Sequence, residues 1–486
     1  MHSTSREDAK SSARAIFLGI EVTIFIGLML ALVALAVSAA SAHLSLVASA
    51  MFIWMIVLSL RMNARATILL IPFIVGSASV VLALVMIEYG AEITELATMG
   101  HANGCTSTYV AYTTICFWFA LLCFNWLVPK YAQSGRPISL LFDRHATLIS
   151  VACIGVAALS AAYLLQAGLR TGFPLLTGTD RYVYRRFNAD IFMLYVLNLK
   201  SMLSIILGMV TFILPVSRPF RIASTSSFVL LTFSFFLFGD KFFTQLLSAA
   251  TFMTPYLYYN HKRLTKILPM LLTVGMLALV AVSGVTWFIY SNGGRETPHA
   301  TMERLSGRIV GQGELWYLQN EIGAEIVNWD ESLVDKNVRA LFVKDISLFA
   351  VREGIGASFF SNRYAPDKIR ASIARNAGTI TYTAALEPLG LAAFGWTGLI
   401  AVMLVTGGII ALSSAYLARA IQLRSVIGCL FAMFVISAVR SYVAQGAPWQ
   451  ILSIYAIKWF SVILALELGL MVIDRILRPR FQMRQS

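Results

Sequence analysis

The stretch AIFLGIEVTIFIGLMLALVALAV, residues 15–37, decides the fold class of this chain, and its only charged residue is Glu21. It is long enough for a helix to cross the hydrocarbon core of a bilayer, which takes about 20 apolar residues. Over the whole chain, 58% of the residues are hydrophobic and 13% are charged, roughly half the charged fraction of a soluble domain. A soluble protein of this composition could not cover its surface with polar groups, so the sequence predicts an integral membrane protein.

Similar apolar stretches recur along the chain, and we count twelve that could span a membrane. They lie near residues 15–37, 43–60, 66–87, 109–128, 147–167, 190–214, 222–238, 244–259, 267–290, 394–416, 425–444 and 449–473. The seventh and eighth are short, so they form either a tight helical hairpin or a re-entrant pair. The sequence therefore predicts an all-α polytopic membrane protein with about twelve transmembrane helices.

The chain divides into three regions. Residues 1–290 hold spans one to nine, residues 291–382 form a large hydrophilic loop, and residues 383–486 hold spans ten to twelve and a basic tail. Apolar residues recur at helical spacing within the loop, which predicts amphipathic helices at 301–322 and 331–351. A third helix is expected to begin at Pro366 and Asp367.

The basic residues predict the orientation in the membrane. Half of the 38 Lys and Arg residues lie, in small groups, in the termini and in the connections on one face of the bundle. The positive-inside rule places that face in the cytoplasm, with both termini. The loop at 291–382 is then periplasmic, in a bacterial inner membrane. The net charge of +14 does not indicate a nucleic-acid partner, because the basic residues form no patch with interleaved aromatic residues.

A short outer connection, residues 168–190, breaks the charge rule. It carries Arg170, Arg181, Arg185 and Arg186, with Asp180 beside them. Guanidinium groups bind phosphate oxygens in a bidentate manner. We therefore interpret these arginines as ligands of a phosphate-containing substrate, and an interfacial belt of basic and aromatic residues is the alternative.

The large loop offers a second set of candidates. Arg304 and Arg308 are four residues apart, so they share a helix face, where two like charges repel unless an anion lies between them. Glu314 follows directly after the sequence Gly311-Gln-Gly313. A carboxylate beside an arginine pair can act as a general base for a sugar hydroxyl, and a solvated helix face is the alternative.

Three further charged residues lie close to or within apolar segments. Lys241 follows Asp240 at the turn between the two short spans. Lys241 is a candidate ligand-binding residue, and a simple ion pair between Asp240 and Lys241 is the alternative. Arg440 lies toward the outer end of an apolar span, and a charge at such a depth usually faces a cavity or a partner. Glu387 begins the return to the membrane, where it caps or lines the site, and the glycines that follow it permit close helix approach.

These features together resemble the Wzy-type O-antigen polymerases, also called oligosaccharide repeat unit polymerases. The resemblance rests on the Pro-, Gly- and Arg-containing loop at 172–186, the Gly-x-Lys turn at 239–241, the Arg-x-x-x-Arg and Gln-Gly-Glu-x-Trp motifs within 304–316, and the Glu-x-x-x-x-x-x-Phe-Gly-x-x-Gly return at 387–398. It covers most of the chain in layout. It implies a metal-independent glycosyltransferase without a cofactor, which transfers a growing glycan from undecaprenyl diphosphate to a new lipid-linked repeat unit.

The resemblance also implies roles for the candidate residues. The diphosphate would be held by basic side chains, namely Arg181, Arg185, Arg186, Lys241, Arg304, Arg308 and Arg440. Glu314 or Asp180 would deprotonate the acceptor hydroxyl. The implied partners are undecaprenyl diphosphate-linked oligosaccharides, membrane lipids and a chain-length regulator protein.

Three alternatives stay open. An O-antigen ligase shares the large outer loop and differs in its acceptor. A polysaccharide transporter or flippase fits twelve spans, but transporters usually keep their outer loops short and repeat their halves. Another polyprenyl-phosphate-dependent glycosyltransferase would be expected to use the acidic outer connection at 88–95.

Overall fold

The computed structural model describes the backbone of residues 2–93, 96–131, 142–177, 179, 184–185, 187–239, 242–264, 266, 269, 273, 280, 284, 287, 297–322, 331–343, 346–368, 370–371 and 386–482. One short antiparallel pairing joins β1 (Glu92–Ile93) to β2 (Thr98–Met99). Every other regular element in these ranges is helical. The all-α class that the sequence predicts is therefore confirmed.

The first part of the chain holds ten α-helices. They are α1 (His2–Ser38), α2 (Ala42–Leu69), α3 (Ile71–Glu88), α4 (Cys105–Tyr131), α5 (Ala146–Thr171), α6 (Pro174–Thr177), α7 (Ile191–Asn198), α8 (Lys200–Phe212), α9 (Arg218–Leu237) and α10 (Phe242–Tyr259). The second part holds α11 (Pro298–Val310), α12 (Glu314–Ile322), α13 (Glu331–Ala340), α14 (Ile346–Glu353), α15 (Ser358–Tyr364), α16 (Leu386–Gln422), α17 (Val426–Gln445), α18 (Trp449–Leu452) and α19 (Ile454–Gln482). These counts refer to the described ranges only.

Eight of the described helical segments are long and apolar enough to cross a membrane, or nine if α7 and α8 form one span bent by 55°. The chain is therefore a polytopic membrane protein. The ninth expected span, 267–290, lies almost entirely outside the described residues. The region of the twelfth is occupied by α18 and α19, whose apolar portion is Ala456–Leu466.

Several expected helices are broken in the structure. The helix predicted at 301–322 is divided into α11 and α12, because Gly311 and Gly313 flank a turn that interrupts the backbone hydrogen bonding. The helix predicted at 331–351 is divided into α13 and α14. There the Leu341 carbonyl accepts a hydrogen bond from the Ile454 amide, at 3.2 Å, instead of continuing the helix.

The buried core unites the bundle with the large loop. One continuous apolar cluster contains side chains of α1, α2, α3, α4 and α5 and also of α8, α9, α12, α16 and α17. A second cluster packs Leu315 of α12 and Phe360 of α15 against Leu389 and Ala392 at the start of α16. The described part of the loop is thus seated on one end of the bundle.

The two ends of the bundle can be defined from the chain direction. We call the end where α3 ends at Glu88 and α4 begins at Cys105 the loop end, because α11 and α12 pack there. The opposite end is where α2 ends, α5 begins, and α16 passes into α17 near Arg424.

Candidate functional site

Helix α12 is fixed to the loop end by side chains on one of its faces. Trp316 Nε1 donates a hydrogen bond of 2.9 Å to the Cys105 carbonyl. One turn further on, Asn320 Nδ2 donates to the Asn103 carbonyl at 2.7 Å. Residues four apart share a helix face, so both bonds hold the same side of α12 against the start of α4.

Two more residues of α12 extend this attachment. The Tyr317 hydroxyl lies 2.9 Å from His101 Nδ1, and His101 Nε2 lies 3.1 Å from Glu321 Oε2. Burial, and secondarily the negative charge of Glu321, raise the pKa of Tyr317 to about 12. The direction of the hydrogen bond between Tyr317 and His101 depends on the tautomer of the imidazole. We call the contacts of Trp316, Tyr317, Asn320 and Glu321 with residues 101–108 the polar clamp.

The acidic connection at 88–95 has a structural role at its first residue. Glu88 is buried, its Oε1 accepts a 2.6 Å hydrogen bond from the Gly104 amide, and its Oε2 accepts one from the Thr106 hydroxyl. A carboxylate at this position is stabilised by the free amides at the start of α4. Both carboxylate oxygens of Glu88 are thus occupied by the protein itself.

The structure describes Glu314, one of the two carboxylates that the sequence analysis favours as the base. It is the first residue of α12, is 3% exposed and takes part in an interaction with another residue. A carboxylate in the first turn of a helix is electrostatically favourable. Asp180, the second candidate, lies outside the described residues.

Most of the expected phosphate ligands lie, wholly or with their side chains, outside the described residues. Arg304 and Arg308 lie on α11, but their side chains are outside the described part of the structure. Arg181, Arg186 and Lys241 lie outside it entirely. The shared helix face expected for Arg304 and Arg308 is consistent with the continuous helix that carries them.

Arg185 belongs to a segment that packs on α5 and α9. Its neighbour Tyr184 is buried, shares a hydrogen bond with the Thr171 hydroxyl, and lies with its ring 5.7 Å from that of Phe238. Arg185 is half-buried and interacts with other residues. The tyrosine thus anchors this arginine at the ends of two spans.

Arg440 occupies a different environment. It lies on α17 within an apolar span and is half-buried. Its guanidinium forms no hydrogen bond or ion pair with any residue that the structure describes. A cation held in an apolar bundle is costly unless a counter-charge compensates it, which makes Arg440 a candidate functional residue.

The start of α16 folds back on itself, which the sequence analysis did not predict. Gly395 has φ 62° and ψ −153°, a conformation that essentially only glycine adopts. A Cβ placed on Gly390 would lie 2.7 Å from Val402 Cγ2 and 3.3 Å from the Gly398 carbonyl. A straight helix would hold residues 390 and 402 about 18 Å apart. Residues 386–394, which we call the folded-back segment, therefore run antiparallel to the span that follows them.

The folded-back segment carries Glu387 into the bundle. Its side chain is 3% exposed, and its Oε2 has no hydrogen-bond partner. Its carboxylate interacts electrostatically with Tyr109 and Tyr112 on α4 and with Tyr442 on α17. Among the side chains that the structure describes, none forms an ion pair with it. A buried carboxylate without an ion-pair partner is a candidate for a functional group.

Sequence reasoning underestimated Glu387. The glycines at 390, 395 and 398 indicate close helix approach, which the structure bears out, but their pattern does not reveal a reversal of the chain. Arg440 and Tyr442 lie on the same turn of α17, so Glu387 and Arg440 are placed at a similar depth from the loop end.

The fold and these residues define a class, an all-α polytopic membrane protein with charged side chains held inside its bundle at one end. One family model, described as a family of unknown function (DUF6418), matches residues 360–460. That range contains the folded-back segment, Glu387 and Arg440. Comparisons with curated proteins and with solved structures found no match. No group of three or more His, Cys, Asp or Glu that could hold a metal ion occurs in the part of the chain that is described.

Proposed function

We propose that this protein polymerises undecaprenyl diphosphate-linked oligosaccharide repeat units into a surface polysaccharide, an O-antigen or an exopolysaccharide. The observation that carries the proposal is Arg440, a half-buried guanidinium inside an apolar span, with no counter-charge among the described residues. A lipid-linked diphosphate would bring such a counter-charge to the site from within the membrane. The bidentate geometry of guanidinium suits its oxygens.

The reaction needs only groups that the chain can supply. As the sugar leaves its carrier, negative charge develops on the diphosphate, and arginines would stabilise it. The further ligands we propose are Arg181, Arg185, Arg186, Lys241, Arg304 and Arg308. The activated sugar arrives on its lipid, so no nucleotide site and no metal ion are required by this chemistry.

The topology that we propose has twelve spans with both termini in the cytoplasm. The loop at 291–382 would then face the periplasm, with the reaction at the outer face of the bacterial inner membrane. Support comes from the opposite end of the bundle, where Arg61, Arg65 and Arg424 are found, as the positive-inside rule expects for a cytoplasmic face. A chain-length regulator protein is the proposed protein partner.

A transporter or flippase is the second candidate, and a specific observation favours it. Broken helices inside a membrane bundle commonly surround the substrate site of transporters. Among the described residues such breaks include the 55° bend between α7 and α8, the kink at Asn63 within α2 and the reversal at Gly395. An O-antigen ligase remains an alternative within the glycosyltransferase class.

Deletion of the gene separates these functions. Surface polysaccharide from the deletion strain is resolved by gel electrophoresis and compared with the strain complemented by the wild-type gene. Loss of the polymer ladder with retention of single repeat units supports the polymerase. Complete absence of glycan on lipid A indicates the ligase.

A parallel measurement addresses the transporter. Lipid-linked repeat units are extracted from the deletion strain and tested for access from the periplasmic face, using a lectin on intact spheroplasts. Repeat units confined to the cytoplasmic leaflet would identify a flippase and overturn the polymerase. Accumulation of repeat units on the periplasmic face would support the polymerase.

A further inference from the structure

Buried polar atoms without partners converge on Glu387. Its Oε2, the Tyr112 hydroxyl and the Thr406 hydroxyl are all buried and make no hydrogen bond of standard geometry, although Tyr112 lies against Glu387 and Thr406 lies against Tyr442. Tyr442 interacts with both Glu387 and Thr406, so these groups surround one place between α4, α16 and α17. Buried polar groups in proteins are nearly always paired. A concentration of unpaired ones therefore points to a ligand that carries several hydroxyl groups.

Aromatic rings border the same place. Trp316 lies with its ring centroid 5.4 Å from that of Tyr109 and 5.5 Å from that of Tyr112. The polar clamp holds Trp316 there through its bond to the Cys105 carbonyl. Aromatic faces combine a large apolar surface with a polar edge, which suits a sugar ring with apolar C–H faces and hydroxyls around its rim.

We infer that Glu387 is the general base of the proposed polymerase, and that Glu387, Tyr112 and Thr406 hold the acceptor sugar. This assignment rests on the proposed function. The sugar would lie between the folded-back segment and α4, with the attacking hydroxyl on Glu387 Oε2. The sugar would accept hydrogen bonds from the hydroxyls of Tyr112 and Thr406.

The step balances without any further reactant. The acceptor oxygen forms a bond to the anomeric carbon of the donor, while the bond from that carbon to the diphosphate oxygen breaks. The electron pair leaves with the diphosphate, whose negative charge Arg440 stabilises. The proton of the acceptor hydroxyl moves to Glu387 Oε2 and is later released to water.

Other described carboxylates near the loop end are less suitable. Both oxygens of Glu88 accept hydrogen bonds from the start of α4. Glu321 is engaged with His101 and Asn103 in the polar clamp. Glu314 has no buried oxygen that lacks a hydrogen bond. Glu387 alone among these four has a buried oxygen without a hydrogen bond.

The inference requires the folded-back segment to move when the acceptor sugar binds. Glu387 Oε2 is enclosed by protein in this arrangement, so a sugar reaches it only if residues 386–394 move away from α4. Gly395, with φ 62°, is the joint about which the segment can move. The acceptor thereby replaces contacts that the protein makes with itself.

The test compares Glu387→Gln with the wild-type protein in proteoliposomes. The probe is the lipid-linked oligosaccharide extracted from the deletion strain. We expect kcat to fall by about 100-fold or more, the usual contribution of a general base, with a smaller change in KM for the acceptor. The wild-type pH profile should show an acid limb that the variant lacks. Glu21→Gln, a carboxylate bound to Arg61 far from this site, is the matched control and should keep wild-type kcat.

The outcomes separate this inference from the proposed function. If the wild-type protein forms no polymer from the probe, the proposed function fails. If the wild-type protein is active and Glu387→Gln keeps its kcat and its pH profile, only the role of Glu387 is overturned. If the Gln variant cannot be purified, Glu387→Asp is measured instead. The inference predicts that the acid limb of its pH profile lies at a different pH from that of the wild-type protein. An acid limb at the wild-type pH would overturn the inference.

Discussion

The two ends of the bundle treat charged side chains differently. At the opposite end, Arg61 Nη1 binds Glu21 Oε2 at 2.5 Å, and Arg424 Nη1 binds Asp143 Oδ2 at 2.6 Å. Toward the loop end, Arg440 has no bonded partner among the described residues, and Glu387 has an unpaired buried oxygen.

We interpret this difference as one between charges that serve the fold and charges kept for a ligand. Pairing lowers the cost of a charge near lipid and adds little else. Leaving a charge unpaired inside an apolar bundle costs stability, and a protein tolerates that cost where a substrate supplies the missing partner. The comparison can be tested by changing each end in turn.

The largest effect is expected from Arg440→Ala. Loss of two charge-assisted hydrogen bonds to the diphosphate, each about 1.5–3 kcal/mol, should reduce polymer formation by about 100-fold or more. Polymer formation by Arg440→Lys should lie between that of the wild-type protein and that of Arg440→Ala, because lysine keeps the positive charge without the planar guanidinium group. Polymerisation of the extracted lipid-linked oligosaccharide in proteoliposomes measures both. Full activity of Arg440→Ala would remove the distinction between the two ends.

A smaller effect is expected from Gly407→Ala, which tests the close packing that encloses Glu387. A Cβ there would lie 2.8 Å from the Cys116 carbonyl oxygen on α4. Forcing the two helices apart should destabilise the protein by about 1–3 kcal/mol. The adjacent Gly408 faces open space, so Gly408→Ala should be neutral or slightly stabilising. Thermal unfolding of the purified variants in detergent compares them, and equal losses would contradict this account of the helix contact.

Trp316→Phe should weaken the polar clamp at the loop end. The change keeps an aromatic ring but removes the donor to the Cys105 carbonyl, at a cost of about 1 kcal/mol. Amide hydrogen exchange in residues 314–322 should then rise by roughly fivefold. Trp396→Phe is the matched control, since Trp396 is 63% exposed on α16. An unchanged exchange rate in Trp316→Phe would show that the bond does not hold α12.

The smallest effect is expected at the opposite end from Arg61→Ala. Its ion pair with Glu21 is largely exposed, and such pairs contribute about 0–1 kcal/mol. Thermal unfolding should shift little, and polymer formation should stay close to the wild-type level. A loss of activity comparable to that of Arg440→Ala would show that charges at both ends serve the reaction.

Much of the fold could be predicted because hydropathy is a local property. The apolar run at 15–37 lies within α1, whose portion Ala15–Ser38 is long and apolar enough to cross a membrane. The two short apolar segments around residue 240 form α9 and α10, and of these two α9 is long and apolar enough to cross. The breaks inside helices were harder to predict. The bend at residue 199 between α7 and α8 has neither Gly nor Pro at its centre, so packing with other helices, not local chemistry, produces it.

The candidate site was only partly accessible to the same reasoning. Arg440 could be selected from the sequence, because a charge within an apolar run is conspicuous by itself. Glu387 could not be given the same weight, because it precedes the apolar run at 394–416 and its burial depends on the reversal of the chain at Gly395. The polar clamp depends on pairs such as Trp316 with Cys105, which are far apart in the chain and have no sequence pattern that links them.

The sequence by itself determined that this protein is an all-α polytopic membrane protein, because the cost of exposing polar groups to lipid is set by each segment's own composition. It also determined that Arg440 would be a charge in need of a partner. Only the tertiary structure decided that Glu387 is buried among Tyr109, Tyr112 and Tyr442. That burial arises when Gly395 reverses the chain and other helices close around residues 386–394, a result of contacts between distant segments that no local pattern encodes.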